Sequence, residues 1–340
     1  MEIRKLNSLR GLAALIVFVT HFSDITHWLE GLFGGSTGQY GVMLFFILSG
    51  FLLAYLYAYR PFKKAHIHAY LVARAARVLP LYIAVVMLSY LLSVNNLSGL
   101  YAINTVPELL SHLLFMRGAS VLWSIPPEIH FYIIFIGLWA LVTHRKGYVY
   151  ALVAATMILL FLTNYPRLYG EINGVSYNAF QSLRSLPFFF VGMVMGMHYA
   201  SFNVPVYMKK HRYVLTLLLI PMLFPELTPV TSDAVRKMWL SFEVLFVMSC
   251  VFFCVVFLVP DNNLLLANPI GDFLGKISFS LYLLHMPIIE VINQFPLAIE
   301  TKLVAALVAS IGVASITFYG FEKPCATALR KAFIKTKKGS

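Results

Sequence analysis

Apolar runs about as long as a bilayer is thick recur along the whole of this 340-residue chain, and they leave few folds open. A helix needs about 20 apolar residues to cross hydrocarbon, where only its own backbone hydrogen bonds can satisfy the peptide groups. Sixty per cent of the residues are hydrophobic and only 12% are charged. A soluble domain runs near a quarter charged, so the soluble enzymes are excluded. The fold class expected is all-α: a polytopic transmembrane helical bundle of about ten spans with both termini cytoplasmic. One integral-membrane domain is expected over 1–340, with a short basic tail at 324–340. The spans are placed at 9–28, 39–59, 79–95, 123–143, 148–163, 181–200, 213–227, 238–258, 274–295 and 302–322. No small-residue cleavage site follows the first run, which is therefore read as a retained span.

The basic residues give the orientation. With the N-terminus in the cytoplasm, the inner segments carry twenty Lys and Arg, among them Arg4, Lys5, Arg60, Lys63, Arg145, Lys209, Lys323 and Lys338. The outer side keeps six: Arg117, Arg167, Arg184, Arg236, Lys237 and Lys302. That asymmetry follows the positive-inside rule and puts 96–122 and 164–180 outside. It also accounts for the net charge of +12 without nucleic acid, since the cations flank spans and form no single patch. Membrane lipid is the expected partner of the basic tail. Cys250, Cys254 and Cys325 make no disulfide framework. Within 96–122, "VPELLSHLLFM" suits a short amphipathic helix at the outer interface.

Ionisable residues inside spans are costly and point to cavities or sites. Arg10 and His21 are eleven residues apart on the first span, about three turns and roughly 16 Å along one helix face. Asp24, at i+3, can reach the His21 ring. An equally weighted reading makes Arg10 a cytoplasmic flank and His21 an interfacial residue. Arg74 and Arg77 in "YLVARAARVLP" share a helix face, where two forked guanidiniums suit phosphate; lipid headgroups would serve them as well. In "LWSIPPEIHFYIIF", the prolines place a helix start with Ser124 as cap, and Glu128 and Tyr132 fall one turn apart. Trp123 reads most simply as a belt residue. His285 lies in the ninth span, three residues after Tyr282, either as packing or as part of a site. Ser49 and Gly50 in "FFILSGFLLAY" suit close helix packing.

Taken in order, these stretches resemble the acyltransferase-3 family of bacterial integral-membrane O-acyltransferases. The resemblance runs through Arg10/His21, "FFILSGFLL", Arg74/Arg77, "WSIPPEIHFY", "ISFSLYLLHMP" and the closing "FEKP". It departs at Pro126 and Pro127, which replace the usual residues before Glu128. It implies transfer of an acetyl group from cytoplasmic acetyl-CoA to a hydroxyl of an extracytoplasmic carbohydrate acceptor, at the bacterial inner membrane and without a metal. The form expected is the stand-alone one, without a C-terminal esterase-like domain. The resemblance points to His21 as catalytic base or acyl relay, with Asp24 orienting it, and to Arg10, Arg74 and Arg77 on the coenzyme side. Trp123, Ser124, Glu128, Tyr132 and His285 are the candidates for the acceptor side, and Trp123, Ser124 and Tyr132 also for oxyanion donors. Direct transfer and an acyl-His21 intermediate both stand at this point.

A transporter or flippase of a glycolipid or small solute is the competing class. It lacks support from an inverted repeat or from paired Gly/Pro-broken spans. A non-catalytic partner in glycan assembly would leave the buried His and Arg unexplained.

Overall fold

The computed structural model describes residues 3–97, 99–165, 169–172, 175–178, 181–224, 227 and 238–334. Arg167, Arg236, Lys237, Lys335, Lys337 and Lys338 from the charge argument lie outside them. The α-helices are α1 (Arg4–Thr26), α2 (Gly38–Tyr57), α3 (Lys64–Val94), α4 (Val106–Leu113), α5 (Ile125–Leu162) and α6 (Leu186–His198). They continue with α7 (Phe242–Phe253), α8 (Pro269–Asn293), α9 (Ile299–Thr317) and α10 (Lys323–Phe333). π-helical turns extend α7 through Cys254–Leu258 and link α9 to α10 through Phe318–Glu322. Six helical stretches among the described residues are long and apolar enough to cross a membrane: Arg4–Thr26, Gly38–Tyr57, Lys64–Val94, Ser120–Leu162, Pro269–Asn293 and Ile299–Phe333.

Several elements differ from the sequence reading. The span expected from residue 79 belongs to one long helix reaching back to Lys64, with Pro80 inside it. The fourth and fifth spans share α5, broken at Arg145, whose φ of −150° and ψ of 69° are not helical. The sixth is the short α6, preceded by a 3-10 turn at Gln181–Ser185. The seventh is 3-10 helix at His211–Leu219 and Pro221–Leu223. The helical fold carries one short hairpin. Tyr169–Ile172 pairs antiparallel with Val175–Asn178, in the 164–180 stretch expected on the outer side. The amphipathic helix expected in 96–122 is α4, started by Thr105, whose hydroxyl accepts from Glu108 N at 3.3 Å.

Two pairs, α1 with α8 and α2 with α6, make the most extensive helix contacts. Both depend on missing side chains. A Cβ on Gly192 would stand 2.0 Å from the Ile47 carbonyl oxygen, and one on Gly275 would stand 2.2 Å from that of Asn7. Backbones this close are the membrane solution to helix packing, because lipid supplies no hydrophobic force to press helices together. Lys5, a flanking charge by its position, is in fact buried and tied down. Its Nζ donates to Val256 O at 2.9 Å and Val259 O at 2.7 Å, and pairs with Asp261 at 2.9 Å. These bonds fasten the start of α1 to the end of α7, and full pairing is what makes a buried ammonium tolerable. On the outside of the bundle, Leu88, Leu91, Ile133, Ile158, Val304 and Ile316 are exposed, an apolar surface of the kind lipid covers.

Candidate active site

Two neighbouring cavities, or lobes, lie among α1, α2, α8 and the residues leading into α5, with α3 adding to the first. The narrower, about 50 Å³, is lined by Arg10, Ser49, Arg77, Ser124, Glu128, Ser278 and Tyr282 among others. The wider, about 250 Å³, is lined by Thr20, His21, Asp24, Ser36, Gln39, Ser120, Trp123 and Tyr282 among others. Val42 and Tyr282 line both. Arg10 and His21 thus mark the two lobes from one face of α1, as the helical spacing requires.

In the arginine lobe, Glu128 Oε1 accepts from Ser49 Oγ at 2.8 Å and from Tyr132 Oη at 2.5 Å. Arg10 feels the charges of Arg77, Arg74 and Glu128, and its Nη1 donates to Asn7 Oδ1 at 3.5 Å. Arg77 lines the cavity, whereas Arg74 lies behind it with its guanidinium carbon 5.9 Å from the Tyr57 ring centre. Glu128 and Tyr132 therefore sit with the arginines. The sequence reading had set Glu128 apart from them on the acceptor side, because one helix turn says nothing of which neighbours it meets. Ser124 also behaves differently. It occupies the cap position of α5 but makes no capping bond, and its hydroxyl donates to Val121 O at 3.3 Å.

In the histidine lobe, His21 is half-buried and its ring centre lies 5.3 Å from that of His285. Asp24 lines the same lobe, but its Oδ1 accepts from Gly35 N at 2.8 Å, holding the turn that follows α1. No hydrogen bond joins Asp24 to His21 among the described residues; Asp24 acts on the ring through its charge. Trp123 faces this lobe with Arg184 stacked on it, the guanidinium carbon 4.6 Å from the indole. Trp239 packs edge-on to Trp123 at 5.6 Å and donates its indole N–H to Gln39 Oε1.

Sequence reasoning missed Ser49, Gln39, Arg184, Glu322 and Arg330. Ser49 was read as a packing residue, and only the α2–α5 contact shows it holding Glu128. Glu322 of "FEKP" is buried, accepts from Ser280 Oγ at 2.7 Å and lies within electrostatic reach of Arg77. Arg330 was assigned to a lipid-facing tail, yet α10 packs against α3 and brings its charge near Arg74 and Arg77. The basic, amphipathic character of α10 was the available signal.

No curated protein and no solved structure gives a match to the chain. The match that is found is to a family, the one described as an acyltransferase domain, and it runs over residues 3–319. It covers both lobes and every helix that shapes them, and so the chain belongs to the acyltransferase-3 family of membrane acyltransferases.

Proposed function

We propose that the protein moves an acetyl group from cytoplasmic acetyl-CoA to a hydroxyl of a carbohydrate on the far side of the bacterial inner membrane. The observation that carries this reading is the pair of neighbouring cavities along α1, which share Val42 and Tyr282, with cations lining one and an imidazole lining the other. In this reading the arginine lobe opens to the cytoplasm, and both termini are cytoplasmic. The ten spans correspond to the helices with α5 counted twice across Arg145, and with α6, His211–Leu223 and Phe242–Leu258 as short crossings. Cysteine accessibility at Asn95 tests that orientation, since it belongs to the outer face.

The mechanism follows from what the residues offer. Arg10, Arg77 and, behind them, Arg74 hold the donor's phosphates by charge and by forked N–H groups. The thin pantetheine arm passes Val42 and Tyr282 towards His21. His21 takes the proton of the acceptor hydroxyl as its oxygen attacks the thioester carbonyl. The C–S bond then breaks, and the leaving thiolate recovers that proton from His21. Thioester and alcohol go in; ester and free thiol come out. The stacked Trp123 and Arg184, with Gln39 and Ser36, offer an aromatic face and hydrogen-bonding groups suited to a sugar.

Incubating the purified protein with labelled acetyl-CoA and membrane glycan should transfer label to the glycan. Absence of both transfer and donor hydrolysis would remove this reading. A second outcome probes the connection between the lobes. Val42 is buried and lines both, so Val42→Trp fills the junction. Transfer should fall by about 10²-fold or more, as misplacing the reacting groups by an ångström does. Binding of CoA itself should change less than about twofold. A Val42→Trp protein with wild-type turnover means the acyl group does not travel between these lobes.

A further inference from the structure

His285 is 1% exposed and makes an unusual set of contacts for so deep a histidine. Its Nδ1 lies 2.9 Å from Tyr282 O and 3.1 Å from Leu281 O. A carbonyl has no proton to give, so Nδ1 must carry the hydrogen. In the neutral ring, Nε2 is then a lone-pair acceptor. Among the described residues nothing donates to it. An unsatisfied polar atom in the core of a membrane protein costs free energy and calls for an account. Around the ring lie Phe18 at 6.3 Å and Tyr282 at 6.2 Å, neither of which supplies a donor there, since Tyr282 Oη is committed to Val121 O at 2.8 Å.

Nearer than either, among the described residues, is the His21 ring, at 5.3 Å between centres and tilted by 32°. Imidazole edges facing each other across that spacing have nitrogens about 3 Å apart, which is hydrogen-bond distance. With the His21 edge turned towards His285 by its side-chain torsions, an N–H comes within reach of Nε2 at this spacing. Asp24 is less suited to orient His21, because its carboxylate is engaged with Gly35 N.

We propose that His285 is the positioning residue of the catalytic histidine. Its Nε2 accepts the N–H of His21, fixing the tautomer so that the other nitrogen of His21 presents its lone pair to the acceptor hydroxyl. When His21 takes up the hydroxyl proton, the N–H shared with His285 becomes charge-assisted and stronger. No proton has to pass to His285, and the one taken from the acceptor leaves with the thiolate. The proposal rests on the acyl-transfer reading for its kinetic consequence but not for the ring pairing itself.

Two variants separate acceptor chemistry from packing. His285→Gln can place an amide oxygen where Nε2 stands; His285→Phe fills the space with no acceptor. In His285→Phe, kcat should fall at least 30-fold with the donor KM unchanged, while His285→Gln should stay within tenfold of wild type. Nitrogen-15 spectra of histidine-labelled protein in detergent should show one His21 tautomer in the wild type, a mixture in His285→Phe, and one again in His285→Gln. Wild-type turnover in His285→Phe overturns the proposal, and so do equal losses in both variants or a His21 spectrum indifferent to His285→Phe. A wild-type protein with no transferase activity would instead remove the acyl-transfer reading, and the spectra would still decide the pairing.

Discussion

Replacing His21 by alanine should leave a folded membrane protein that no longer transfers acyl groups. Loss of a general base costs typically about 10²–10⁴-fold in rate, and within this cavity no substitute stands ready. His285 is the nearest imidazole, but it is buried, its Nδ1 is fixed on two carbonyls, and it does not line the lobe. Asp24 does line it, and Asp24→Asn should be far milder, within about tenfold, below the 10²–10⁴-fold range for loss of an acid–base group. An asparagine oxygen still accepts from Gly35 N and keeps the turn after α1. Both variants should elute as the wild type does in size-exclusion chromatography, and donor binding should survive in each. Near-normal transfer by His21→Ala would make His21 an interfacial residue and nothing more.

The sequence carried the long elements and the axis of the site, and the reasons are local. Apolar runs and prolines act over a few residues, so α1, α2, α8 and the start of α5 could be placed without coordinates. The same holds for α4, where threonine, proline and an apolar stripe specify one short helix. Arg10 and His21 share a face because eleven residues make about three turns. What could not be read depends on which helices meet. Glu128 joins the arginines only because α2 brings Ser49 against α5, and His285 meets His21 only because Gly275 lets α8 ride on the backbone of Asn7. The distorted elements escaped as well. Hydropathy cannot distinguish the 3-10 stretch at His211–Leu219 from an α-helix, whereas the break in α5 at Arg145 falls in the connection expected between the fourth and fifth spans.

Arginine variants at the narrow lobe should cost donor affinity, each by about 1.5–3 kcal/mol, the usual worth of a hydrogen bond to a charged group. That corresponds to roughly 10–150-fold in Kd for Arg10→Ala or Arg77→Ala. Arg74 stands behind the cavity wall beside Tyr57, so Arg74→Ala should fall at the low end. Lysine should restore only part of the loss, because it keeps the charge and gives up the fork. Arg330→Ala should weaken acetyl-CoA but not acetyl-pantetheine, which lacks the nucleotide phosphates. Glu128 gives the opposite sign. Its carboxylate lines the same lobe as Arg10 and Arg77, and Glu128→Gln keeps an oxygen for Ser49 and Tyr132 while deleting the negative charge. A more positive lobe should hold the polyphosphate donor as well or better, and the KM for the acceptor should not move. Titration calorimetry with acetyl-CoA in detergent reads all of these. If the arginine variants keep wild-type donor affinity while His21→Ala loses it, the donor enters by the other lobe and the assignment of the two ends must be exchanged.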